Sequence, residues 1–173
     1  MFLYPTPTNN RQLATDIFHT LLMEAFIDSL LEKLSGRKNG LLSFPDKKEA
    51  NMSNRRFMGM QEIPLEKVIG TLGRESDFDA KFRPVKKHLR DRWVNVFINL
   101  ECDNGSPILV HKIGEVYYVE DGHHRTSVAR SMGKAFIYAD VWEYPMNPPR
   151  DNVCQPESCH SSPGYRPVEA CAS

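Results

Sequence analysis

The sequence predicts an α+β fold, and three stretches carry that expectation. Residues 10–35 repeat apolar side chains at three- and four-residue intervals, the period of one helix face. Residues 108–119 hold two β-branched and aromatic runs around Ile113-Gly114, the pattern of a hairpin. Residues 115–133 then read as a strand, a tight polar turn and a short amphipathic helix.

Composition sets the bounds. A chain of 173 residues, 40% apolar and 25% charged, suits one globular domain with peripheral segments. Its 22 basic and 22 acidic residues cancel, so no bulk field draws it onto nucleic acid or an anionic membrane. Met1-Phe2-Leu3-Tyr4-Pro5-Thr6-Pro7 is too short for a signal peptide, and no run approaches the ~18–20 apolar residues of a membrane span. A cytoplasmic protein is expected. Cys102, Cys154, Cys159 and Cys171 are then reduced thiols. The spacing of Cys154, Cys159, His160 and Cys171 matches no common zinc knuckle, so an unstructured tail is favoured over a zinc cluster.

Asn9-Asn10 is placed to cap the first helix, which runs to Ser35 and stops at Gly36. Its apolar residues make a stripe wider than a lone surface helix needs. Packing on its own domain and a homodimer through residues 10–35 both follow from that width. Ser43–Ala50 is expected to open a second short helix at Pro45, and Arg55-Arg56 to lie in a solvated linker. This divides the chain into an N-terminal helix and linker over 1–56, a core domain over 57–145 and a flexible tail over 146–173. Within the core, Glu62–Val68 reads as a strand. Phe78 to Trp93 reads as a helix through Phe82, Val85, Leu89 and Trp93, interrupted early by Pro84. Lys81, Arg83, Lys86, Lys87, His88, Arg90 and Arg92 crowd this stretch, where a phosphate-backbone contact with DNA would fall.

The chemistry concentrates at Asp121-Gly122-His123-His124-Arg125. Gly122 permits a positive φ or a close ligand approach. The next residues open a helix whose unpaired N–H groups and dipole favour an anion. Arg125 offers a planar fork for phosphate or carboxylate, and His123 and His124 add donors near neutral pH. The alternative is that Arg125 pairs structurally with Asp121 or Glu120. Thr126 and Ser127 can donate hydroxyl contacts or cap the helix. Asp77 and Asp79 can hold Mg²⁺ beside a triphosphate or cap a helix. Glu120 and Asp121 are the nearest catalytic carboxylates, although Asp121 also suits shaping the turn.

This box, His-His-Arg-Thr-Ser-Val-Ala-Arg after Asp-Gly, resembles the phosphate-binding box of the ParB/sulfiredoxin superfamily. Gly133–Val141 is similar to the strand that closes that domain, and Gln61–Val68 resembles its opening strand. Gly70–Asp79 is similar to a bacterial ParB-like subgroup of unassigned role. The likeness spans residues 57–144. It implies a compact ParB/sulfiredoxin-like domain with a small mixed sheet and flanking helices. It also implies a nucleotide or other phosphorylated ligand, with ATP or CTP and Mg²⁺ as the cofactors to expect. Arg74 resembles a further family position facing the site.

Sulfiredoxins carry Gly-Cys-His-Arg here, and the thiol does their reductive chemistry. His123 stands in its place, which excludes that activity. Partition proteins carry Gly-Glu-Arg-Arg, whereas small-molecule kinases of the same fold use a His-His-Arg turn closer to this one. Three function classes follow. One is a nucleotide-responsive module acting on DNA or protein. The second is an enzyme of phosphoryl transfer or phosphodiester cleavage ("ParB-like nuclease" is a label this likeness attracts). The third is an interaction protein working through its N-terminal helix.

Overall fold

In the computed structural model, residues 7–36, 40–45, 55–99 and 106–145 are described. The expected tail, the tail cysteines, Cys102 and all but the first residues of the Ser43–Ala50 helix lie outside them. The elements run α1 (Pro7–Ser35), β1 (Leu42–Ser43), β2 (Arg56–Pro64), β3 (Val68–Thr71), α2 (Arg90–Asn99), β4 (Ile108–Ile113), β5 (Val116–Asp121), α3 (His123–Ser131) and β6 (Phe136–Tyr144). The protein is thus mixed α/β, with a six-stranded sheet in the order β1-β3-β5-β4-β6-β2. β4–β5 and β2–β6 are antiparallel, while β1–β3, β3–β5 and β4–β6 are parallel. No helix among the described residues is long and apolar enough to cross a membrane.

The three helices share one core with the sheet. Strand alternation turns Val68, Ile108, Val110, Val119, Ala139 and Val141 toward Ala14 and Phe18 of α1, Trp93 and Val94 of α2, and Val128 and Ala129 of α3. Trp93 sits at the helix junction. Its ring lies 5.7 Å from Phe18, and its indole N–H donates to Ser127 Oγ at 2.9 Å. The same alternation sends His111, Tyr118 and Tyr144 to the opposite sheet face, where Phe44 meets all three rings at 5.4–5.5 Å.

α1 carries two apolar faces. Ala14, Phe18 and Ala25 are buried, whereas Met23, Phe26, Ile27, Leu30, Leu31 and Leu34 are exposed on the other side. That explains the breadth of its apolar pattern. The helix begins at Pro7, upstream of the expected Asn9-Asn10 cap. Proline fits there because its missing N–H would have no helical partner.

Four further expectations are corrected. Leu42–Ser43 forms a strand beside β3, and Phe44 and Pro45 are not helical. Arg56 belongs to β2, and Arg55 lies over the Trp142 ring at 4.5 Å, so the pair is not a solvated linker. The strand expected over Glu62–Val68 is broken by a 3₁₀ turn at Leu65–Lys67, directly after Pro64. The helix expected from Phe78 to Trp93 starts only at Arg90, after a 3₁₀ turn at Lys87–Leu89. Asp79 accepts the N–H groups of Lys81 and Arg83 at 3.0 and 2.8 Å, closing a turn in competition with a helix. Phe82 takes a φ of 59° and buries its ring, and Pro84 cannot donate.

Most of the basic residues in that stretch are paired. Arg83 contacts Asp79 and Asp28, Lys81 contacts Asp28, Lys86 contacts Asp77 and Arg90 contacts Asp91.

Candidate functional site

β5 delivers the chain to the site. Gly122 follows it at φ 95°, a conformation that disfavours any side chain. A Cβ there would also run into the Ile108 side chain. Both constraints demand glycine, and the turn aims the start of α3 into a cleft of about 470 Å³. Around the cleft stand Arg74 and Phe78 from the loop after β3, and Arg92, Asn95, Val96 and Asn99 from α2. Residues 120–125 complete the wall.

The start of α3 is open. Its first helical bond runs from Thr126 N–H to Gly122 O at 2.9 Å, and no side chain caps it. The N–H groups of His123, His124 and Arg125 thus have no partner within the helix. Their partial positive charge is joined by Arg74 and Arg92. Arg74 also bonds Asp77 at 3.0 Å, whereas Arg92 makes no ion pair among the described residues.

The two histidines differ in what holds them. His123 is buried, its Nε2 lies 2.5 Å from Thr71 Oγ1, and its ring stacks on Phe78. His124 meets Phe78 edge-on at 5.4 Å, and its Nδ1 is buried without a hydrogen-bond partner among the described residues. Burial pulls the pKa of each down to about 4, aided by Arg74 at His123 and by Arg92 and then Arg74 at His124. Both are neutral near pH 7.

Arg125 is engaged by its own chain. Its guanidinium donates to the carbonyls of Ser106 and Pro107 and to Asp121 at 3.0 Å. It ties the approach to β4 to the start of α3, and its bond to Asp121 is the structural pairing the sequence offered as the alternative. Asp121 is its exposed partner. Thr126 and Ser127 face away from the cleft. The Thr126 hydroxyl donates to Gly122 O, and Ser127 accepts from Trp93. The 3.0 Å bond from Arg74 is one of two ion pairs of Asp77; Lys86 at 2.8 Å supplies the other and is the main reason its carboxyl lies below the usual range. Asp79 is bound by Arg83. No cluster of His, Cys, Asp and Glu fit for a metal occurs among the described residues.

Glu120 borders the cleft, but its carboxylate meets His111 Nε2 at 2.6 Å, on the side of the sheet away from the helices. His111 Nδ1 lies 2.9 Å from the Tyr144 hydroxyl. A ring nitrogen facing a carboxylate carries the proton, so Nε2 donates to Glu120. A buried phenol and imidazole thus hold Glu120 in one orientation.

Sequence reasoning missed His111 and, beyond Arg92, the α2 wall. His111 joins Glu120 only through strand pairing. Arg92, Asn95, Val96 and Asn99 fall at helical spacing, a signal hidden by the expected helix ending at Trp93. No protein-family model, curated protein or solved structure matches the chain, so its chemistry is read from the cleft.

Proposed function

We propose that this is a ParB-like phosphate-binding protein, a nucleotide-responsive module acting on a protein or DNA partner. One observation carries the reading: the uncapped start of α3 opens into a cleft flanked by Arg74 and Arg92. Backbone N–H groups, a helix dipole and two guanidinium groups converge there, the combination that suits a phosphorylated ligand. His123, His124 and Gly122 shape the cradle, and Arg125 positions it. The test is a thermal-shift panel of ATP, CTP, GTP and UTP with and without Mg²⁺. A bound nucleotide at 100 times its Kd raises stability by about 2.7 kcal/mol. A flat panel at millimolar nucleotide counts against the reading.

A second reading, phosphoryl transfer or phosphodiester hydrolysis, is favoured by Glu120. Glu120 borders the anion cleft, and its carboxylate, paired with His111, suits a base that takes a proton from an acceptor hydroxyl or water once it turns toward the cleft. Under this reading Glu120→Gln removes turnover and leaves nucleotide affinity in place.

A further inference from the structure

The second half of α1 has an uncovered apolar face with an ordered pattern. At 3.6 residues per turn, Met23, Ile27, Leu30 and Leu34 all lie within about 40° of the direction opposite the buried Ala25. Their spacing of four, three and four residues is that of a two-helix seam, here about 17 Å long. Phe26 and Leu31 flank the seam on either side, and these six residues are 43 to 86% exposed. A hollow of about 360 Å³ adjoins it, where Val85 and Lys87 from the segment before α2 meet Met23 and Phe26. Together the seam, its flanks and Val85 expose roughly 600–700 Å² of apolar surface. That exceeds the ~300–600 Å² patch of a typical monomer and approaches the ~800 Å² each partner gives a standard interface.

The ends of the seam select how it is covered. Toward the start of α1 the same line continues as Thr20 and Asp16, both exposed. At the other end, Lys33 and the following Arg37-Lys38 make a basic terminus. A parallel pair of α1 helices would set Asp16 against Asp16 and one basic end against the other, with the helix dipoles aligned. An antiparallel pair centred between Asp28 and Ser29 avoids all three. It sets Met23 opposite Leu34 and Ile27 opposite Leu30, twice over, and leaves Asp16 beyond the end of the partner helix. The face is thus complementary to itself under a two-fold axis.

We infer that a second copy of the chain covers this face, the two α1 helices packing antiparallel along residues 23–34. The pairing does not depend on the phosphate reading.

The test is sedimentation velocity of the full chain at micromolar concentration, with circular dichroism as the check on folding. It compares the wild type, Ile27→Lys, Leu30→Glu and an equimolar mixture of the two variants. The wild type is expected to sediment as a dimer. Each variant alone places two unpaired charges in the seam and is expected to be a folded monomer, its dimer dissociation constant raised at least about a hundredfold. In the mixture the introduced lysine and glutamate meet across the antiparallel seam, and the dimer returns. A parallel pair would align position 27 with 27 and 30 with 30, and mixing would restore nothing. A monomeric wild type overturns the inference, whether or not the face then takes up lipid vesicles or a foreign helix. A dimer that both variants leave intact overturns it too, since the interface then lies elsewhere. Variants that dissociate without rescue on mixing overturn the antiparallel register.

Discussion

Thr71 Oγ1 lies 2.5 Å from His123 Nε2, joining the end of β3 to the first residue of α3 inside the protein. The threonine hydroxyl also bonds Val119 O at 3.4 Å, so one buried side chain links β3, β5 and the helix that opens the cleft. Thr71→Val keeps the shape and removes the hydroxyl partner of the buried His123 Nε2. The expected loss is about 1–3 kcal/mol of unfolding free energy, the cost of an unsatisfied buried polar group. Urea unfolding measures it, and an unchanged midpoint would show that this contact does not hold the site together.

The histidines set a pH window. Each has a folded pKa of about 4 against an ordinary imidazole value of 6.5. A group whose pKa is depressed on folding stabilises the protein fully above its unfolded pKa, and that contribution fades as pH falls through the folded pKa. Stability should therefore fall between pH 6.5 and 4, beyond the loss from carboxylates such as Asp77 at lower pH. His124→Asn should flatten part of this slope in denaturation curves recorded across the window. A bound phosphate raises the imidazole pKa, so ligand binding at pH 6 takes up protons; calorimetry in buffers of different ionisation enthalpy reads that uptake.

Arg92 and Arg125 separate binding from scaffolding. Arg92 has no ion pair among the described residues, so Arg92→Ala should leave the melting temperature in place. It should weaken phosphate-ligand binding by about 1.5–3 kcal/mol, the range for a charged hydrogen bond. Arg125 satisfies two backbone carbonyls and Asp121. Arg125→Ala should lower stability, measurable by thermal denaturation, and disturb binding only through the displaced start of α3. Equal melting temperatures for the two variants would contradict this division.

α1 predicts two opposite responses. Deleting residues 1–36 uncovers Trp93 and removes Phe18 from the core, so aggregation or unfolding is expected. Ile27→Lys with Leu34→Lys touches only the outward face, where both residues are exposed. That variant should remain folded, and it should dissociate a homodimer formed through this face. Light scattering beside circular dichroism distinguishes the cases; a folded, monodisperse truncation would show that α1 does not complete the core.

The turn and α3 were legible because their information is local. Gly122 and Gly133, at φ 95° and 68°, bracket a short helix where the sequence puts them. The hairpin was legible through Gly114 and the alternation on either side of it. Residues 78–89 were not. Their apolar spacing mimics a helix, while Asp79 closes a turn with its side chain and Phe82 reaches the core from a left-handed backbone. The pairing of Arg125 with Asp121 was among the sequence alternatives, whereas its bonds to Ser106 and Pro107 and the engagement of Thr126 and Ser127 were hidden. Each is a good ligand residue by type, and each is occupied by a partner, two of them distant in sequence: Pro107 for Arg125 and Trp93 for Ser127.

Calorimetric titration of wild-type protein and Arg92→Ala with tripolyphosphate at low salt tests the phosphate cleft most directly. Saturable one-to-one binding to the wild type is expected, with affinity roughly ten- to a hundredfold weaker in a fully folded Arg92→Ala. Absence of binding to the wild type, or equal affinity in the two proteins, would contradict the assignment of the cleft at the start of α3 as a phosphate site.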